Sequence, residues 1–140
     1  MREPRYPSLA EIIALHDLIL SRLGASPQPL RDEGLLESAL MRPRMAAWYE
    51  QADLIRQAAL LAIGISQAQA FVDGNKRTAF ATVDAFLWVN GWEYVGDPME
   101  LAQRLEQIAT PATDAATATD AFEAWLRDNG APRDGGDGPR

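Results

Sequence analysis

Two stretches of helix length in this chain are almost entirely apolar, and they constrain the fold more than any other feature of the sequence. One spans about residues 53–69 and consists largely of Leu, Ile and Ala; the other spans about residues 78–90 and is followed by Gly91. Helices that are hydrophobic on all sides lie in the centre of a domain. The sequence therefore predicts two buried central helices, joined by the polar segment 71–77.

Capping and helix-breaking residues indicate further helices before this pair. The run Ser-Leu-Ala-Glu at 8–11 is a capping box, and the helix that it opens should end near Gly24. Asp32 caps a second, short helix, which Pro43 is expected to stop, so that residues 44–51 form a connecting segment. These signals place two helices on the N-terminal side of the central pair.

Helices are also predicted after the central pair. A capping box at 97–100 has proline at its first helical position, and a last helix is expected at about 119–128. No alternation of apolar and polar residues is long enough for a sheet. We therefore expect an all-α domain of about six helices over residues 1–130, followed by a disordered tail at 131–140 that is rich in Gly, Pro and Asp.

Composition excludes several classes of function. The chain has no cysteine and one histidine, His16, which excludes disulfides, thiolate chemistry and zinc sites built from Cys or several His. His16 falls on the apolar face of the first helix, where we interpret it as a hydrogen-bonded core residue. A net charge of −7 argues against general nucleic-acid binding. Neither a signal peptide nor a membrane-spanning segment is recognisable, so a soluble, cytoplasmic protein is expected.

The segment Asp-Gly-Asn-Lys-Arg-Thr at 73–78 carries the most distinctive chemistry of the chain. Asp-Gly favours a tight turn, and Asn75 can cap the following helix. Lys76 and Arg77 then lie in the first helical turn, where positive charge opposes the helix dipole. This arrangement is favourable if an anion binds there, because free backbone N–H groups, a glycine and two cations all suit phosphate. The alternative is a capped helix whose two cations point into water.

Two residues of this segment make the anion hypothesis more specific. Lys76 is the only lysine among 13 basic residues, and the compact charge of a lysine is not interchangeable with the planar fork of an arginine. Asp73, directly before the glycine, can hold the magnesium ion that accompanies nucleotide phosphates. The segment is therefore a hypothetical nucleotide-phosphate site.

Residues 71–79, Phe-Val-Asp-Gly-Asn-Lys-Arg-Thr-Ala, resemble the signature of the death-on-curing (Doc) branch of the Fic superfamily. Further blocks resemble Doc proteins in the same order: Ala-Leu-His-Asp at 14–17, Gly-Leu-Leu-Glu-Ser-Ala-Leu at 34–40, Phe-Leu-Trp-Val-Asn-Gly at 86–91 and Ala-Trp-Leu at 124–126. The resemblance covers about residues 8–127. A long match with ordered flanks is far more specific than a lone glycine motif.

The resemblance implies a compact Fic fold with an anion-binding loop, and a toxin that transfers the γ-phosphate of ATP to a threonine of elongation factor Tu. Asp73 would bind Mg²⁺. Gly74, Asn75 and Lys76 would contact the phosphates, and Arg77 would contact the transferred group. Most Fic relatives transfer AMP and have glycine where this chain has Lys76, which favours phosphoryl transfer here. A small antitoxin is the implied partner, through a disordered segment that folds into a groove on the toxin.

Gln69 departs from the family pattern, which has its catalytic histidine at this place. An amide cannot take a proton from a hydroxyl near neutral pH, but it can orient one by hydrogen bonding. Loss of a general base typically lowers a rate by a factor of about 10²–10⁴. Three interpretations stay open: a slow kinase in which Gln69 and Arg77 carry the catalysis, a pseudoenzyme that binds nucleotide or antitoxin, and a toxin silenced by replacement of the histidine. A Fic-type AMP transferase is a further alternative.

Overall fold

Six α-helices and a small two-stranded sheet make up the part of the chain that the computed structural model describes, which comprises residues 3–26, 30–72, 74–108, 110 and 112–133. The elements are α1 (Leu9–Arg22), α2 (Glu33–Glu50), α3 (Leu54–Ala68), α4 (Asn75–Val89), β1 (Trp92–Tyr94), α5 (Pro98–Ile108), α6 (Ala115–Asp128) and β2 (Gly130–Pro132). The all-α class expected from the sequence is confirmed.

α3 and α4 form the centre of the fold, as their apolar composition predicts. α3 packs against α2, α4 and α6, and α4 packs in turn against α1. Ten of the 15 residues of α3 are buried, so this helix is enclosed on nearly all sides. α2 approaches α3 closely at Gly64, where a Cβ atom would lie 3.3 Å from the Cβ of Ala39. Within the described ranges, no helix has the length and apolar character needed to cross a membrane.

The prediction that Pro43 ends the second helix is wrong. α2 continues through Pro43 to Glu50, so the expected connecting segment at 44–51 is helical except for its last residue. Proline in a helix interior removes one hydrogen bond and costs about 3 kcal/mol. Pro43 is buried together with Leu36, Ala39 and Ala46 on one stripe of α2, and this packing outweighs the local preference.

The prediction that the chain contains no sheet is also wrong in one place. β1 and β2 pair antiparallel, with Trp92 opposite Pro132 and Tyr94 opposite Gly130. Three-residue strands are too short to produce a recognisable alternation of apolar and polar residues. β2 lies at the start of the segment predicted to be a disordered tail, so residues 131 and 132 of that segment form a strand; the rest of the prediction, for residues 134–140, lies outside the described residues.

Candidate anion-binding site

The Doc-like signature lies in the turn that connects the two central helices. α3 ends at Ala68 and α4 begins at Asn75, so residues 74–77 lie at the N-terminus of a buried helix, as predicted. Gly74 is the N-cap of α4 and has a positive φ of 83°, which glycine adopts without steric cost. A Cβ at Gly74 would lie 3.3 Å from Leu20 Cδ2 and 3.4 Å from His16 Cδ2. Both the backbone conformation and the close approach of α1 therefore require glycine here.

Asn75 joins the two ends of the turn. Its Oδ1 accepts a hydrogen bond from the backbone N–H of Phe71 at 3.0 Å, and its Nδ2 donates to the Phe71 carbonyl at 2.9 Å. The prediction that Asn75 caps α4 is wrong, because Gly74 is the N-cap and no side chain caps this helix. The amide of Asn75 instead satisfies both backbone groups of a buried residue, which would be costly to leave unpaired.

Phe71 anchors the turn in the core, and His16 holds it there. Phe71 is only 1% exposed, and its ring stacks on the His16 ring with a centroid separation of 3.8 Å and an interplanar angle of 9°. His16 is equally buried and its Nδ1 lies 3.2 Å from Asp17 Oδ1. The interpretation of His16 as a hydrogen-bonded core residue is confirmed, but its contact with the signature segment was not foreseen.

Lys76 and Arg77 occupy the first turn of α4 and have no anionic partner among the described residues. Lys76 is half-buried and Arg77 is exposed, and neither side chain makes a hydrogen bond or ion pair within that part of the chain. The first turn of α4 also contains no acidic residue. Two cations therefore lie at the positive end of a helix, and no described residue compensates their charge there. That their charged groups converge on one concavity stays a prediction.

Gln69 lies at the end of its helix, as the sequence indicates, and its side chain contacts that helix. Gln69 is the C-cap of α3 in the left-handed conformation, with φ 54° and ψ 36°. Its Nε2 donates to the Ser66 carbonyl at 3.0 Å. The side chain is exposed and makes no other hydrogen bond within the described residues, so the amide can rotate to contact another group once the bond to Ser66 is broken.

Arg31, which sequence reasoning missed, reaches the same residue from the segment before α2. Its Nε donates to the Gln69 carbonyl at 3.1 Å, and its Nη2 donates to the same oxygen. The backbone N–H groups of Arg31 and Asp32 both donate to the Ala70 carbonyl, at 2.6 and 3.1 Å. Arg31 and Gln69 are 38 positions apart, so no local pattern in the sequence signals this contact.

The magnesium hypothesis depends on Asp73, and this residue lies outside the described residues. In the part of the chain that the structure describes, no group of three His, Asp or Glu residues could hold a metal ion. A groove of about 320 Å³ between α1 and α4 is lined mainly by apolar side chains and contains none of the signature residues. This groove therefore supplies no argument about the anion site.

Comparison with known proteins identifies the family to which the chain belongs. Residues 6–87 match the Fic/DOC family. The chain is 33% identical to "Protein kinase doc" of Escherichia phage P1 over 117 residues, which is 83% of this chain and 91% of that protein. It is 40% identical to "Toxin Doc" of Mycolicibacterium smegmatis over 70 residues, 49% of this chain and 54% of that protein. The chain belongs to the Fic/DOC family, and the resemblance recognised in its signature is confirmed.

Proposed function

We propose that this chain is a Doc-like toxin of a toxin–antitoxin pair, and that it transfers the γ-phosphate of ATP to a threonine of a target protein. The observation that carries the proposal is the N-terminus of α4, where Lys76 and Arg77 have no anionic partner among the described residues and where the N-cap, Gly74, has no side chain. The N–H groups in the first turn of a helix and two cations suit a polyphosphate. The relative named as a protein kinase and the relative named as a toxin support the same assignment.

Each signature residue has a distinct part in this proposal. Lys76 supplies a compact charge to the phosphates of ATP, and Arg77 supplies a planar fork to the group being transferred. Gly74 lets the phosphates approach the backbone closely. Because the amide of Asn75 is bonded to Phe71, the donor that Asn75 offers to a phosphate is its backbone N–H. Asp73 would hold Mg²⁺, which would neutralise charge on the phosphates.

Gln69 would orient the hydroxyl of the target threonine. Phosphoryl transfer passes through a loose transition state, so correct positioning supplies much of the rate and a general base is not indispensable. The side chain of Gln69 is held by one hydrogen bond to Ser66, which an approaching hydroxyl can replace. The family resemblance indicates elongation factor Tu as the target protein.

The second candidate is a pseudoenzyme that binds nucleotide or antitoxin without turnover. The hydrogen bond from Gln69 Nε2 to Ser66 favours it, because this contact directs the amide to its own helix. A Fic-type AMP transferase is less consistent with the sequence, since Lys76 stands where those relatives have glycine. The three candidates differ in which phosphate of ATP, if any, reaches the target protein.

Radiolabelled ATP distinguishes the candidates. We would incubate the full chain with Mg²⁺, elongation factor Tu and either γ-labelled or α-labelled ATP, beside Gln69→His and Lys76→Ala variants. Label from γ-labelled ATP alone on the target supports the kinase, and label from α-labelled ATP supports AMP transfer. If both the unmodified chain and the Gln69→His variant bind ATP but neither transfers label to the target, the pseudoenzyme is supported. Loss of ATP binding in Lys76→Ala would locate the site at α4.

The toxin assignment has its own test in cells. A Doc-like toxin should arrest growth when expressed in the cytoplasm, and a small antitoxin should relieve the arrest by binding the toxin directly. The negative net charge makes direct nucleic-acid binding an unfavourable explanation for such an arrest. Growth should recover with the Lys76→Ala variant, because this variant lacks one proposed phosphate ligand; its circular dichroism spectrum should match that of the unmodified chain. Growth arrest that persists in Lys76→Ala would contradict the proposal that phosphate transfer from ATP bound at α4 causes the arrest.

A further inference from the structure

We propose that Arg31 is a positioning residue that fixes the backbone of Gln69 and thereby aims the side chain at position 69. This inference rests on the proposed function, in which residue 69 orients the acceptor hydroxyl. Arg31 belongs to a separate segment of the chain and donates two hydrogen bonds to the Gln69 carbonyl. The signature motif does not include it.

The end of α2 provides an internal comparison for the end of α3. Gln51 and Gln69 are the two non-glycine residues with positive φ among the described residues, and each is the C-cap of its helix. At Gln51 the chain closes the helix locally, because the backbone N–H of Ala52 donates to the Ala46 carbonyl at 3.2 Å. In the described residues, no backbone N–H makes the corresponding bond at the end of α3.

Long-range contacts replace that local bond at α3. The carbonyl of Gln69 accepts from the guanidinium of Arg31, and the carbonyl of Ala70 accepts from the backbone N–H groups of Arg31 and Asp32. The next residue, Phe71, forms an isolated antiparallel bridge with Leu30. The segment 30–32 therefore fixes three consecutive residues immediately before the signature turn.

The guanidinium group suits this task for two reasons. Its planar fork places two N–H donors on one carbonyl oxygen, which defines the direction of that carbonyl as well as its position. Its positive charge also lies at the C-terminus of α3, where the helix dipole favours cations. A lysine would keep the charge but would lose the two-donor geometry. Arg31 is therefore suited to hold a left-handed conformation that glutamine rarely adopts.

The consequence for catalysis follows from where residue 69 lies. Rotation about the backbone of residue 69 would move its side chain relative to the α4 N-terminus, and a displacement of about 1 Å in a reacting group costs about 10²-fold in rate. Arg31 contacts the carbonyl of residue 69 and neither Lys76 nor Arg77. Its loss should therefore lower the rate of transfer more than the affinity for ATP.

The test uses Arg31→Lys and Arg31→Ala in the unmodified chain and in the Gln69→His background. Arg104→Lys and Arg104→Ala are the matched controls, because Arg104 is an exposed arginine of α5 that lies over the Trp125 ring, on an element that does not contribute to the turn. The measurements are kcat and KM for ATP in transfer of labelled γ-phosphate, and hydrogen exchange of the backbone amides at 69–71. Guanidinium chloride at millimolar concentration, against sodium chloride, tests rescue.

We expect both Arg31 variants to lower kcat by about 10–100-fold while KM for ATP changes less than about twofold. Guanidinium should restore part of the kcat of Arg31→Ala, which leaves space for it, and not that of Arg31→Lys. Exchange at 69–71 should accelerate in both variants and in neither control. Full activity of Arg31→Lys, or a rise in KM that matches the loss of rate, would overturn the proposal.

Failure of the proposed function gives a different pattern. If no background transfers the γ-phosphate, the kinase assignment falls, and hydrogen exchange still decides the role of Arg31. Faster exchange confined to 69–71 in the Arg31 variants would uphold its role in fixing residue 69. Unchanged exchange there would overturn it, whatever the activity.

Discussion

At the scale of single residues, Lys76 provides the sharpest test of the anion site. Lys76→Ala should weaken ATP binding by about 1.5–3 kcal/mol, as expected for a hydrogen bond to a charged group. Titration calorimetry with ATP and Mg²⁺ measures this, and Arg104→Ala is the control for removal of one positive charge elsewhere. An affinity equal to that of the unmodified chain would show that Lys76 is not a phosphate ligand and that the two cations of α4 are simply solvated.

Gln69 determines how much catalysis this chain retains. If the missing base is its only defect, Gln69→His should raise the rate of phosphate transfer by about 10²–10⁴-fold and increase toxicity. Transfer of labelled γ-phosphate to elongation factor Tu measures the change. A rate that stays at background while ATP still binds would favour the pseudoenzyme. Rapid transfer by the unmodified chain would instead show that positioning by glutamine is sufficient.

Asn75 has a structural part that can be separated from binding. In Asn75→Asp the carboxylate cannot donate to the Phe71 carbonyl, and a buried acceptor loses its partner. We expect a loss of about 1–3 kcal/mol in the free energy of unfolding, measured by urea denaturation. Gln107→Glu, an amide-to-acid change on the exposed face of α5, should have little effect. Equal stability of the two variants would contradict the role assigned to the Asn75 amide.

The candidate site could be predicted from sequence only where its chemistry is local. The glycine turn and the two cations are consecutive, so spacing alone indicated a helix N-terminus there and left an anion site and a solvated helix start as alternatives. The role of the Asn75 side chain was misjudged because its hydrogen bonds run back to Phe71 rather than to the helix that it begins. The contacts of Arg31 and His16 join separate segments, which no single-segment pattern encodes.

At the scale of secondary-structure elements, the start of α3 gives a prediction for pH. Asp53 caps this helix through a hydrogen bond from the Arg56 N–H at 2.9 Å and also binds Arg127. Burial alone would raise the pKa of this carboxyl, but the hydrogen bonds from Arg56 and Arg127 outweigh it and hold the pKa below its usual value. A lowered pKa in the folded state means stability that is complete above the unfolded-state pKa and is lost as the pH falls through the folded one.

Asp53→Ala should therefore cost about 0.5–2 kcal/mol of unfolding free energy at neutral pH, the range for loss of an N-cap. The difference from the unmodified chain should begin to shrink below about pH 4, the ordinary pKa of an aspartic acid in an unfolded chain, and should be smallest once the pH has fallen below the lower pKa of the folded state. Asp53→Asn can still cap the helix but carries no charge, so it separates the two effects. It should lose mainly the stabilisation that comes from the ion pair with Arg127. A pH-independent difference between Asp53→Ala and the unmodified chain would contradict the role of the charge.

Helix boundaries were predictable where caps are explicit. Ser8 and Asp32 cap helices in the structure as predicted, because an N-cap acts within its own turn. The prediction that Pro43 ends the second helix was wrong because α2 continues where one stripe of its surface is buried. That burial depends on packing against α3, which the local sequence does not show. α6 begins at Ala115, capped by Asp114, which is earlier than the apolar pattern from residue 119 indicated.

At the scale of the whole molecule, the last strand and the residue after it connect the C-terminal segment to the end of α4. Arg133 donates from its backbone to the Gly91 carbonyl at 2.8 Å and from Nε to the Trp88 carbonyl at 3.0 Å, and its guanidinium lies 4.4 Å from the centre of the Trp88 ring. These contacts tie the segment after α6 to the end of α4. The overall class was predictable because two enclosed apolar helices leave few alternatives, whereas this last strand was not, since its sequence is rich in Gly and Pro.

Removal of residues 130–140 should lower the unfolding temperature, because several hydrogen bonds worth about 0.5–1.5 kcal/mol each are lost with β2 and Arg133. Removal of residues 134–140 alone is the matched control and should leave the temperature unchanged, in keeping with the composition of that segment. Differential scanning calorimetry compares the two. Equal unfolding temperatures for the two truncations would show that the strand pairing contributes nothing to stability.

The bonds between Asn75 and Phe71 have a kinetic consequence. They join residues 71 and 75 on both the N–H and the C=O side, and so restrain the start of α4 relative to Phe71. A site that is already in its competent state imposes no population penalty on the apparent affinity. If an anion binds at this restrained helix start, as proposed, the rate of its capture should depend on collision and on the local field of the α4 N-terminus, and should respond to ionic strength rather than to the pace of a rearrangement.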